Sequence, residues 1–127
     1  MSRAAMTIRW FAIYLGVLGI LLVLTPNFLL STFGMPETHE AWIRVLGVVV
    51  FNLGVYYWYA AISEARPFFK ATVATRTIVV VSFIAFVLLG LAPPMLLLFG
   101  TIDFVAGLWT AWGVHADRRA SSAPATA

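Results

Sequence analysis

Residues 42–63 read Trp42-Ile-Arg44-Val-Leu-Gly47-Val-Val-Val-Phe51-Asn52-Leu-Gly54-Val-Tyr56-Tyr57-Trp58-Tyr59-Ala-Ala-Ile-Ser63. The stretch is long enough to cross a bilayer, which takes about 20 apolar residues. Yet it carries an arginine, an asparagine, two glycines and a block of four aromatics. Wound at about 100° per residue, Arg44, Asn52, Tyr56, Tyr59 and Ser63 fall on one side. That side needs polar partners, and the rest of the chain must supply them.

The composition says what kind of solvent this chain meets. Of 127 residues, 62% are hydrophobic and 10% charged. So few charges would not cover the apolar surface of a soluble domain, so the expected medium is lipid and the expected unit a single domain. With no cysteine, disulfides, thiolate nucleophiles, thiolate metal sites and dithiol redox chemistry are excluded. The net charge of +3 is distributed at the ends of apolar stretches, a pattern of membrane orientation and not of nucleic-acid binding.

Four spans are expected, at about 8–30, 41–63, 71–91 and 94–115. A cleaved signal peptide competes for the first, but its apolar core is long and no small-x-small cleavage site follows. Pro36 with Glu37 and Glu40 predicts a start for the second helix about a turn before Trp42. Pro67 is expected to close that helix, and Gly90-Leu-Ala-Pro93-Pro94 a hairpin between the last two. Residues 118–127 read as a disordered cytoplasmic tail. With four spans, Arg3, Arg9, Arg66, Lys70, Arg76, Arg118 and Arg119 share one side and Arg44 alone the other. The positive-inside rule then places both termini in the cytoplasm. The expected fold is an all-α, integral membrane four-helix bundle running up-down-up-down.

The second and fourth spans share spacing: Gly47, Phe51, Gly54, Tyr56 and Tyr59 match Gly100, Phe104, Gly107, Trp109 and Trp112. A duplicated hairpin and shared packing demands both explain it. Either way Gly47, Gly54, Gly100 and Gly107 predict smooth strips for close helix packing.

Asp103 most needs a partner, since it lies near mid-span, where an unpaired carboxylate costs several kcal/mol (about 2.5–3.5 on insertion scales). Gly100, Ala106, Gly107 and Thr110 share its face, which therefore points inward. Asn52 is at similar depth. Arg44 is offset by about 10 Å on one side and Arg76 by about 9 Å on the other. Arg44 is the favoured partner, because Arg76 has the cytoplasmic surface to snorkel to. Two readings are open: a polar clasp fixing helix register, or a ligand or proton site. Tyr56 and Tyr59, on the Asn52 face, fit either core packing or an amphipathic pocket. His39 with Glu37 and Glu40 reads as a solvated loop, so no metal and no cofactor is expected.

The run Trp42-x-Arg44-x-x-Gly47, then Gly54-x-Tyr56-Tyr57, Arg76 and Asp103 resembles small bacterial four-span membrane proteins of uncharacterised, broadly DoxX-like type. The resemblance covers about residues 8–115 and implies an inner-membrane four-helix bundle. It carries over no catalytic residue. Three functions are compatible with the chain: a non-enzymatic bundle or accessory subunit, which comes first for want of a reaction centre; a binder or enzyme for a lipid, quinone or isoprenoid-like ligand; and a small proton-coupled exporter. The last is weakened by the absence of any acid between Arg9 and Glu37. Expected partners are membrane lipids, a lipophilic ligand, and a second copy or another membrane protein, with no nucleic acid.

Overall fold

A computed structural model describes residues 1–122. These form five α-helices: α1 (Arg3–Leu24), α2 (Pro26–Thr32), α3 (Trp42–Ile62), α4 (Arg66–Leu88) and α5 (Leu96–Ser122). All but α2 are long and apolar enough to cross a membrane.

Prolines set several boundaries, and in places differently from expectation. The expected span at 8–30 is two helices, because Pro26 has no N–H to continue α1 and instead starts α2. Pro67 does not close the second span; it sits in the first turn of α4, which therefore begins at Arg66 and not near residue 71. Pro36 starts no helix, and α3 begins at Trp42. Gly90, at φ +74°, turns the chain out of α4. Residues 118–122, expected in a disordered tail, continue α5; the remainder of that tail lies outside the described residues.

Side by side, the long helices run in the order α3, α1, α5, α4, and α3 scarcely packs on α4. Neighbours are antiparallel. Gly19 meets Gly47 while Gly16 meets Gly54, Thr7 meets Thr110, and Arg76 meets Gly107 while Phe83 meets Gly100. The closest approach joins α1 to α3. A Cβ on Gly19 would lie 2.7 Å from the Phe51 backbone nitrogen and 2.8 Å from the Gly47 carbonyl oxygen. No side chain fits there, so the two backbones touch as small residues allow in membrane helix pairs.

One end of the bundle is closed by Ala4, Ala5, Ile8, Ala60, Ala61 and Phe69. At that end the first N–H groups of α1, which have no helical partners, meet two carboxylates. Glu64 accepts from the Ser2 backbone N–H at 2.7 Å and the Ser2 hydroxyl at 2.6 Å. Asp117 accepts from the N–H groups of Arg3 and Ala4 at 3.1 and 3.0 Å. Glu64 itself takes φ +53°, a left-handed conformation uncommon outside glycine, and its two bonds to Ser2 hold it there. Partial burial alone would raise the Glu64 pKa; the two Ser2 hydrogen bonds, with the charges of the N-terminus and Arg66, outweigh it and leave the pKa lowered.

Candidate functional site

Between α3 and α4, whose backbones stay apart, a cleft of about 430 Å³ opens, with Tyr56 and Tyr57 on one wall, Thr75 and Arg76 on the other, Phe11 of α1 behind, and Asp103 of α5; Tyr57 and Phe68 meet edge-on across it, centroids 5.1 Å apart. An apolar chamber of about 420 Å³ adjoins it, sharing Leu15, Leu53, Val79 and Asp103. Helix α2 covers part of this chamber with Leu29 and Leu30, and Phe33 beyond it meets Phe99 of α5 edge-on, centroids 5.0 Å apart. Asp103 is thus the carboxylate that lines both the cleft and the apolar chamber.

Arg76 is the buried charge of the site, 3% exposed. It does not snorkel, contrary to expectation. It lies ten residues into α4, about 15 Å along the helix from Arg66, farther than its side chain reaches. Its stem crosses α5 at Gly107, where an added Cβ would already be in contact at 3.4 Å. The guanidinium then stacks on Phe11 at 4.0 Å and faces the Tyr57 ring at 5.4 Å, both attractive through the ring quadrupole. Nη1 donates to Thr110 Oγ1 at 2.9 Å. Thr110 and Thr7, both buried, share a hydrogen bond at 2.8 Å, and Thr7 donates to the Ala4 carbonyl at 2.7 Å. Each hydroxyl has one proton; with that of Thr110 given to Thr7 at 2.8 Å in preference to its own Ala106 carbonyl at 3.1 Å, a chain runs Arg76 to Thr110 to Thr7 to Ala4, tying α4, α5 and α1. Nε and Nη2 of Arg76 are buried with no hydrogen-bond partner, a cost of about 1–3 kcal/mol or more for a charged group.

Arg44, favoured in the sequence as the Asp103 partner, is elsewhere. It donates to the Val23 carbonyl at the end of α1. Pro26 interrupts the helix just beyond, so the last carbonyls of α1 lack their usual donors, and a cation is favoured at the negative end of the dipole. Of the two arginines, the cleft holds Arg76. Asp103 lines the same cleft, and among the described residues it makes no hydrogen bond and no ion pair within 4.0 Å.

Asn52 is also outside the site. It is exposed and makes no hydrogen bond, because the α3 face that packs on α1 is set by Gly47 and Gly54, well over 100° around the helix from it. Tyr56 and Tyr59 are each 64% exposed; Tyr56 edges the cleft, whereas Tyr59 borders a groove on the opposite side, toward α1. Gly100 and Gly107 contact α4, Gly47 and Gly54 contact α1.

The residues missed in the sequence are Thr7, Phe11, Tyr57 and Thr110. Thr110 shares the Asp103 face and was legible as a partner for a buried cation. Thr7 was hidden because the first span was drawn from residue 8. Tyr57 was hidden by its position 100° from Tyr56. Among the described residues, no cluster of His, Asp and Glu is arranged to hold a metal. No protein-family model, curated protein or solved structure matches the chain.

Proposed function

We propose that this chain is a multi-pass protein of the bacterial inner membrane that binds an amphiphilic, lipid-like molecule between α3 and α4. The polar end of that molecule lies at Arg76 and Asp103 and its tail fills the apolar chamber toward α2. The observation that carries this reading is the pairing of a buried, under-bonded Arg76 with two adjoining chambers of about 430 and 420 Å³, each within the size of small-molecule pockets. The gap between α3 and α4 gives such a ligand a lateral way in from the bilayer. Orientation follows from charge: Arg3, Arg66, Lys70 and Arg118 gather at the end where Ser2, Glu64 and Asp117 meet, and Arg44 is at the other, which supports cytoplasmic termini and an up-down-up-down path.

Native mass spectrometry of gently extracted protein tests the binding. A retained lipid-like mass is expected in the wild type and its loss in Arg76→Gln. Arg76→Gln protein that is folded and keeps the same mass refutes the site.

A second reading is a non-enzymatic bundle or accessory subunit in which Arg76, Thr110 and Thr7 serve as a helix clasp. The hydrogen-bonded chain from α4 through α5 to α1 favours it. The readings part at two positions: altered ligand retention with unchanged stability in Asp103→Asn supports binding, and lowered stability in Thr110→Val with no ligand in either protein supports the clasp.

A further inference from the structure

Helix α3 carries a second pattern, on the side away from the cleft, where Val55 and Tyr59 also border a groove against α1. Val45, Val48, Asn52, Val55, Tyr59 and Ile62 are spaced three, four, three, four and three residues apart. That is the a/d spacing of a helix built to pack along a second helix. Every one of these side chains is exposed: Val45 61%, Val48 50%, Val55 38%, Tyr59 64% and Ile62 52%, with Asn52 exposed among them.

Asn52 makes this face more than an apolar strip. It lies ten residues from each end of α3, about 15 Å along the axis, so the hydrocarbon interior surrounds it and its short side chain reaches no water. Its amide has two N–H donors and an acceptor oxygen, and none is hydrogen-bonded among the described residues. Acyl chains offer nothing in return, and polar side chains in this position act as interhelical glue.

We propose that the Val45–Ile62 seam is the contact between two copies of this chain, packed α3 against α3 in parallel and joined by Asn52 to Asn52 at mid-membrane. A second copy is the occupant because an amide is complementary to itself, and a two-fold axis along the membrane normal brings each residue to its own equivalent at equal depth. A lone asparagine at one a position also fixes the register in which two such helices meet. The proposal needs α3 to span the bilayer but is independent of the ligand cleft, which opens elsewhere on the helix.

The cysteine-free chain permits a direct test. Single cysteines at Val48→Cys and Val55→Cys, oxidised in native membranes, are expected to give disulfide-linked dimers. Val49→Cys, at the same depth but about 100° around the helix, is expected to give almost none. In detergent, Asn52→Leu is expected to weaken self-association by roughly five- to thirtyfold. Equal crosslinking at positions 48 and 49 overturns the proposal, as does an unchanged dimer in Asn52→Leu. So does a monomeric chain that co-purifies with a different membrane protein, which would reassign the seam to that partner.

Discussion

Adding one methyl group to Gly19 is expected to cost about 1–3 kcal/mol, while the same change three residues earlier, at Gly16, costs almost nothing. The Gly19 Cβ would sit 2.7 Å from the Phe51 nitrogen, against ordinary contact beginning at 3.4 Å. Backbone cannot rotate away as a side chain can, so α1 and α3 must separate by about 0.7 Å (3.4 − 2.7). A gap of about 0.5–1 Å forfeits a quarter to a half of the dispersion attraction at each contact it opens, along the tightest seam of the bundle. The usual gain in helix propensity from Gly to Ala, about 1 kcal/mol in water, does not offset this, because a span that leaves the bundle stays helical in lipid. At Gly16 nothing lies within 4 Å of an added Cβ, and the expected change is within about 0.5 kcal/mol. Gly47→Ala, on the facing strip, should resemble Gly19→Ala, and the double variant should cost less than the sum, because one substitution already parts the helices. Equilibrium unfolding in mixed micelles, followed by tryptophan fluorescence, measures all four. Equal stabilities for Gly16→Ala and Gly19→Ala would falsify the close-packed interface.

Two further outcomes follow from the polar groups. Thr110→Val keeps the side-chain shape but removes the acceptor for Arg76 and the link to Thr7; a loss of about 1–3 kcal/mol is expected, with Thr110→Ser near wild type, and identical unfolding of the two variants would contradict the clasp. Glu64 has a folded-state pKa below its ordinary 4.5, so its contribution is present above that value and disappears as pH falls through the folded pKa. Wild-type stability should therefore drop on acidification below about 4.5 more steeply than that of Glu64→Gln, and parallel pH profiles would show that the contacts with Ser2 carry no linked proton.

Hydropathy alone was enough to find four membrane-length helices, because twenty apolar residues in a row have no other economical home. That Asp103 turns toward the other helices was legible for the same reason, and it lines both cavities. Which arginine shares its cleft was not. Counted along the sequence, Arg44 and Arg76 are almost equally far from Asp103 in depth; the pairing of the helices brings Arg76 nearer, and other contacts hold each arginine in place. The end of α1, broken at Pro26, leaves carbonyls that capture Arg44, while Phe11, Tyr57 and Thr110 hold Arg76 inside.

Asn52 teaches the complementary lesson. Its residue type and depth announced that it needs a partner, but a helical wheel has no preferred origin. Only the meeting of Gly19 with Gly47, and of Gly16 with Gly54, fixes the rotation of α3 about its axis. That rotation turns Tyr57 into the cleft and Asn52 out of the bundle. The sequence determined how many membrane-length helices there are and which groups must find partners; the packing of small residues in three dimensions decided which partners were within reach.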